Sequence, residues 1–166
     1  DTGPPTMPEV LERVVAQLEG AMIASQEGKA IAVSSGLPGL DYAIGGGWRK
    51  KRITSLCARS GRGKTTLGLC FARNAILSGQ RVVYFSTEAG PEELVEKIVA
   101  NEGSVNSSKL INGSVTEAEA DRFMAAVQRL STTHLIVDDK ASRDIDKIAK
   151  RVAEFLRDTE PKEETK

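Results

Sequence analysis

A chain of 166 residues is long enough for one domain with a hydrophobic core. Its 23 Lys and Arg are balanced by 23 Asp and Glu, which excludes a globally basic nucleic-acid binder and leaves only a local patch open. No apolar run approaches the length of a membrane span and no signal peptide is visible, so a cytoplasmic protein with no membrane partner is expected. Cys57 and Cys70 have neither metal spacing nor a disulfide framework, and the reading is two buried thiols in a reducing compartment. The opening Asp1-Thr2-Gly3-Pro4-Pro5 lacks an initiator Met, which suggests a piece of something longer.

In chain order, residues 1–28 read as a flexible start followed by an amphipathic helix. Pro8 suits a first helical turn, with Thr6 or Met7 near the cap. Leu11, Val14, Val15, Leu18 and Met22 recur at helical spacing, and Gly28 ends the run. That stripe needs a partner, on its own domain or on a neighbouring subunit. Ile31–Val33 is a strand candidate. Gly36-Leu37-Pro38-Gly39-Leu40-Asp41 is a turn into a short helix ending at Gly45-Gly46-Gly47. The basic run Arg49-Lys50-Lys51-Arg52 follows Trp48; such a run is either a solvated loop or a contact for a phosphate backbone.

Residues 53–57 read as a buried strand and 64–77 as a helix capped by Gly79. Next come a strand at 81–86, a helix opened by Pro91, and a helix started by the capping box Thr116-Glu117-Ala118-Glu119. A strand at 134–138 precedes a last helix, 143–156, capped by Ser142. Residues 158–166 read as a disordered, charged tail. Strands alternating with helices predict an α/β fold with a mostly parallel sheet covered on both faces. Ligands in such sheets lie at the C-terminal ends of the strands.

Between strand and helix stands Ala58-Arg59-Ser60-Gly61-Arg62-Gly63-Lys64-Thr65-Thr66, the context a P-loop requires. Backbone N–H groups of such a loop converge on one spot and favour a polyphosphate. Gly61 and Gly63 permit the tight path. Lys64 reaches the β- and γ-phosphates and the Thr65 hydroxyl binds Mg²⁺. The expected ligands are therefore ATP and Mg²⁺, at residues 59–66. The pattern asks for Gly at 58, where this chain has Ala. Glu88, just past the next strand, is placed to activate a water, that strand often neighbouring the P-loop strand; an exposed turn carboxylate is the bland alternative. Asp138 and Asp139 end an apolar strand. On pattern alone either is the Mg²⁺ carboxylate or a turn former. His134 has no partner cluster and reads as structural.

These stretches resemble the ATPase domain of DnaB-type replicative helicases, within the RecA-like P-loop superfamily. The resemblance rests on Gly36–Asp41 with Gly45–Gly47, on the Ala-Arg opening of the P-loop, and on Phe85-Ser86-Thr87-Glu88. Glu93-Leu94-Val95, Ala100-Asn101-Glu102, Leu110-Ile111-Asn112-Gly113 and Val137-Asp138-Asp139 extend it over 29–157. KaiC and RadA relatives share the Gly-rich features and fit 93–139 less well. The resemblance accepts Ala58 and implies that Glu88 is the catalytic base. It also implies that 8–27 is a linker helix docking on the next subunit of a hexameric ring. Asp138-Asp139 then precedes the true Walker B strand and is not the main metal carboxylate. The resemblance covers a RecA-like core that is only partial, lacking Walker B, DNA-binding loops and arginine finger. It implies a motor on single-stranded DNA with a primase or loader as partners. The rival is a non-catalytic, nucleotide-binding accessory module that docks on a helicase.

Overall fold

The computed structural model describes residues 3–28, 31–140 and 144–158. The chain divides into two compact units, Asp1–Ser55 and Leu56–Lys166.

In the first unit, helix α1 (Met7–Gln26) starts where Thr6 and Glu9 permit it. The Thr6 backbone N–H and its hydroxyl both donate to Glu9 Oε2, at 2.7 and 2.9 Å, and Pro8 occupies the first turn. The apolar stripe of α1 stays outside: Leu11, Leu18 and Met22 are all more than half exposed. Strand β1 (Ala32–Val33) pairs antiparallel with β2 (Trp48–Arg49), opposing Val33 to Trp48. Nothing in the sequence marks the second strand of this ribbon, because two residues are too few to show alternation. Helix α2 (Pro38–Ala43) lies between them. Asp41 ties the turn before it: Ser34 Oγ donates to one carboxylate oxygen at 2.5 Å and the Ser35 N–H to the other at 2.8 Å. The Ser34 hydroxyl is the first cause holding the Asp41 pKa low. Gly47, at φ 120°, cannot be replaced freely, since a Cβ there would stand 2.5 Å from the Val33 carbonyl oxygen.

The second unit holds α3 (Lys64–Leu77), β3 (Val82–Phe85), α4 (Pro91–Glu102), α5 (Ser107–Ile111), α6 (Glu117–Leu130), β4 (Leu135–Asp138) and α7 (Ile145–Asp158). Strands β3 and β4 are parallel, with Val83 opposite Ile136 and Phe85 opposite Asp138. Period-two alternation gives the pair two faces. Tyr84, Leu135 and Val137 pack with Leu69 of α3, Leu94 and Ile98 of α4, and Leu130 of α6. Val83, Phe85 and Ile136 face a cleft of about 380 Å³ whose other wall is Arg151, Glu154 and Phe155 of α7. Helix α6 begins with a complete capping box: the Thr116 N–H donates to Glu119 Oε2 at 3.0 Å, and the Glu119 N–H to Thr116 Oγ1 at 3.3 Å.

Four expectations are corrected. Residues 53–57 form no strand; they have no ladder partner among the described residues, and Ile53 is 98 % exposed. A strand lives on its neighbours' hydrogen bonds, and apolar composition alone cannot supply them. The sheet is accordingly not a broad parallel one: two two-stranded sheets are present among the described residues, one antiparallel. The partner of the Glu88-bearing strand is β4, not the P-loop segment. Cys57 is exposed and Cys70 only half-buried, so neither is the enclosed thiol expected. The five-residue α5, capped by the Asn106 side chain accepting from the Ser108 N–H at 2.8 Å, is an addition. The Ser142 cap lies outside the described residues, as does the tail beyond Asp158.

Candidate functional site

Helix α3 begins at Lys64 itself, and Gly63 is its N-cap with φ 79°. With Gly61 at φ 72°, two left-handed residues bend residues 58–63 into a loop that delivers the chain to the helix N-terminus. A Cβ on either glycine would meet nothing within 4 Å, so conformation, not crowding, asks for glycine here. No acidic residue occupies the first turn of α3, and the orphan N–H groups there suit an anion. Lys64 Nζ donates to the Ala58 and Arg59 carbonyls, at 3.0 and 3.2 Å, so the ammonium lies across the loop's own backbone. Arg59, Ser60, Arg62, Thr65 and Thr66 are all exposed around it.

Strand β3 brings the second half of the site. Beyond Phe85 the chain turns as Ser86 Oγ donates to the Ala89 carbonyl at 2.7 Å and accepts from the Ala89 N–H at 3.2 Å. That turn presents Thr87 and Glu88. Lys64, Thr65, Glu88, Tyr84 and Lys97 then line one open concavity of about 470 Å³. Two elements far apart in sequence thus converge on a single hollow at the C-terminal end of β3, where ligands of α/β sheets lie.

Tyr84 and Lys97 also line this hollow, and no motif in the sequence marks them. Tyr84 sits two residues before Ser86 on an alternating strand and points to the α3–α4 side. Its phenol is pushed above the ordinary value, first by burial and then by the Glu88 carboxylate. Lys97 Nζ is held by Glu93 Oε1 at 2.5 Å, one helical turn away. An i, i+4 Glu-Lys pair is the available signal.

Asp138 and Asp139 are not brought to this hollow. They line the other cleft, under α7. Asp138 is 8 % exposed, and both of its oxygens are occupied: Arg151 Nε donates to Oδ2 at 2.7 Å and the Lys140 N–H to Oδ1 at 2.9 Å. The Arg151 hydrogen bond is the largest influence lowering the Asp138 pKa, against burial. Among the described residues no set of three or more His, Cys, Asp or Glu is placed to hold a metal ion. The residues present fit a polyphosphate, through Lys64 and the bare helix N-terminus. For Mg²⁺ they offer the Thr65 hydroxyl, with Glu88 in the same hollow. The His134 carbonyl accepts from the Val82 N–H at 2.9 Å, a ladder role. No helix among the described residues is long and apolar enough to cross a membrane.

Comparison with known proteins identifies the family. The model of the DnaB-like helicase C terminal domain matches residues 32–162. The Replicative DNA helicase DnaC of Bacillus subtilis (strain 168) is 29 % identical over 116 residues, covering 69 % of this chain and 25 % of that protein. The Replicative DNA helicase DnaB of Synechocystis sp. is 33 % identical over 112 residues, 66 % of this chain and 13 % of that one. The chain thus spans a quarter or less of these relatives. Circadian clock protein KaiC2 of Synechocystis sp. is 31 % identical over 91 residues, 54 % of this chain and 16 % of that protein. Among solved structures, an ATPase domain superposes with a TM-score of 0.78 at 24 % identity, over 98 % of this chain and 55 % of that one. A DnaB-like replicative helicase, described with its interactions with primase, gives 0.76 at 23 % identity, over 98 % and 38 %. Both likenesses speak for the fold. The family model covers most of the chain, so the chain belongs to the DnaB-like helicase C-terminal domain family and shares the fold of the matched ATPase domain.

Proposed function

We propose that this chain is the ATP-binding part of a replicative helicase motor. The observation that carries the reading is the single hollow shared by Lys64 and Thr65 of α3 and Glu88 beyond β3. Residues 59–66 would cradle the phosphates of ATP through backbone N–H groups, and Lys64 would exchange its two carbonyl partners for the β- and γ-phosphates. Thr65 would hold Mg²⁺, which supplies charge neutralisation at the transferred phosphoryl group when bound. The Glu88 carboxylate would orient a water and take its proton. In the complete assembly, a hexameric ring joined through the exposed stripe of α1, hydrolysis would drive movement along single-stranded DNA. A primase or loader would be a partner, and the setting would be cytoplasmic.

One observation favours a second reading, a nucleotide-binding accessory module without turnover. The carboxylate that pattern alone offers for Mg²⁺, Asp138, is committed to Arg151 in a different cleft. Binding and turnover of Mg-ATP by this chain separate the two. Lys64→Ala should abolish nucleotide binding; unchanged affinity would remove the phosphate assignment. Glu88→Gln should keep binding and lose turnover. Binding by the unaltered chain without any turnover would leave the accessory reading standing.

A further inference from the structure

The basic run at 49–52 plays no part in the nucleotide hollow. It is the strongest concentration of one charge in the chain, which is neutral overall. No Asp or Glu occurs between Asp41 and Glu88, and Asp41 is already committed to Ser34 and Ser35. All four cations are exposed. Arg49 is rooted, its Nη2 donating to the Gly45 carbonyl at 3.0 Å across the glycine corner. Lys50 and Lys51 form the turn after β2, and Lys51 takes φ 59°, which an L residue adopts only against resistance. Among the described residues no carboxylate pairs with Lys50, Lys51 or Arg52. Trp48, half-buried, stands directly before them.

We propose that the turn carrying Arg49, Lys50, Lys51 and Arg52, with Trp48 at its base, is a contact site for the sugar-phosphate backbone of single-stranded DNA. Consecutive exposed cations without internal carboxylates match a polyanion of high charge density. An acidic protein partner would call for a cluster of apolar anchors, and an anionic bilayer for an amphipathic face; residues 50–53 carry one large apolar side chain, Ile53, and of the four cations only Arg49 borders the apolar stripe of α1. The choice of DNA as partner rests on the helicase reading above, whereas the position of the site rests on the charge distribution alone.

The test is fluorescence anisotropy of a labelled dT20 oligonucleotide with the full 166-residue chain, titrated between about 50 and 200 mM salt. Trp48, the single tryptophan, serves as an internal reporter by quenching. Four contacts to a single strand predict a log–log salt slope of about −2.8, at roughly −0.7 per contact. Lys50→Gln/Lys51→Gln/Arg52→Gln, which spares the rooted Arg49, should flatten the slope toward about −0.7 and weaken binding on the order of 100-fold near 0.1 M salt. Lys50→Arg/Lys51→Arg should retain binding, which separates lost charge from lost folding. No binding by the unaltered chain, or an unchanged slope in the triple variant, overturns the site. Binding to phosphatidylserine vesicles in preference to dT20 overturns the choice of partner. Lys64→Ala should leave dT20 binding intact, so failure of the ATPase reading and failure of this site are told apart.

Discussion

Leu94→Ala tests whether the α3–α4–sheet core is what holds the nucleotide hollow together. Leu94 is fully buried, at 0 % exposure, between Leu69 of α3 and Ile98, and packs with Tyr84, Leu135 and Val137 from the strands. Truncation to Ala removes apolar carbon worth about 2 kcal/mol of transfer free energy, at roughly 0.8 kcal/mol per methylene. A residual cavity of about 60 Å³ would add about 1.4 kcal/mol. The expected loss is therefore about 3 to 4 kcal/mol, a large part of the ~5–15 kcal/mol that holds a typical domain folded. Urea unfolding followed by circular dichroism reads it as a lower midpoint at unchanged slope. Leu11→Ala, on the exposed stripe of α1, is the internal control and should change stability by less than about 0.5 kcal/mol. The functional consequence is loosened nucleotide affinity, because α3 carries Lys64 and the α4 side carries Lys97. A loss below about 1 kcal/mol for Leu94→Ala would refute the packing assignment.

Gly47→Ala should destabilise the first unit by about 2 kcal/mol or more, since φ 120° and a Cβ 2.5 Å from the Val33 carbonyl both oppose it; hydrogen exchange at Ala32 and Val33 no faster than in the parent would refute this. Acid should weaken the start of α6. The Lys109 ammonium, then the Thr116 N–H, hold the Glu119 carboxyl at about 2, below its ordinary 4.5. A depressed folded-state pKa contributes stability above the unfolded value, and that stability is lost as pH falls from about 4.5 to about 2. Thr116→Ala should cost about 1 kcal/mol at neutral pH and shrink this acid sensitivity; an identical acid transition in the variant would count against the cap. Removing residues 1–28 should lower the mass seen by light scattering if the α1 stripe joins subunits, whereas an unchanged mass would leave that stripe without such a role.

Local chemistry made much of this protein legible before any fold was known. The capping box at Thr116 and the prolines at 8 and 91 that open helices act within one turn of chain, so sequence alone locates α1, α4 and α6. The same holds for the glycine loop ahead of Lys64, whose left-handed residues need only their own missing side chains. What lies between strands was not legible. Apolar content marked 53–57 as a strand, but a ladder requires a neighbour that composition does not name, and Ile53 stands exposed. Asp138 and Glu88 look alike on the string, each an acid at the end of an apolar run. The family resemblance tells them apart, and the tertiary structure supplies the physical reason: Arg151, thirteen residues on, claims Asp138, while the Ser86–Ala89 turn leaves Glu88 lining one hollow with Lys64. Side-chain partners distant in sequence are chosen by packing, and packing is decided by the whole fold.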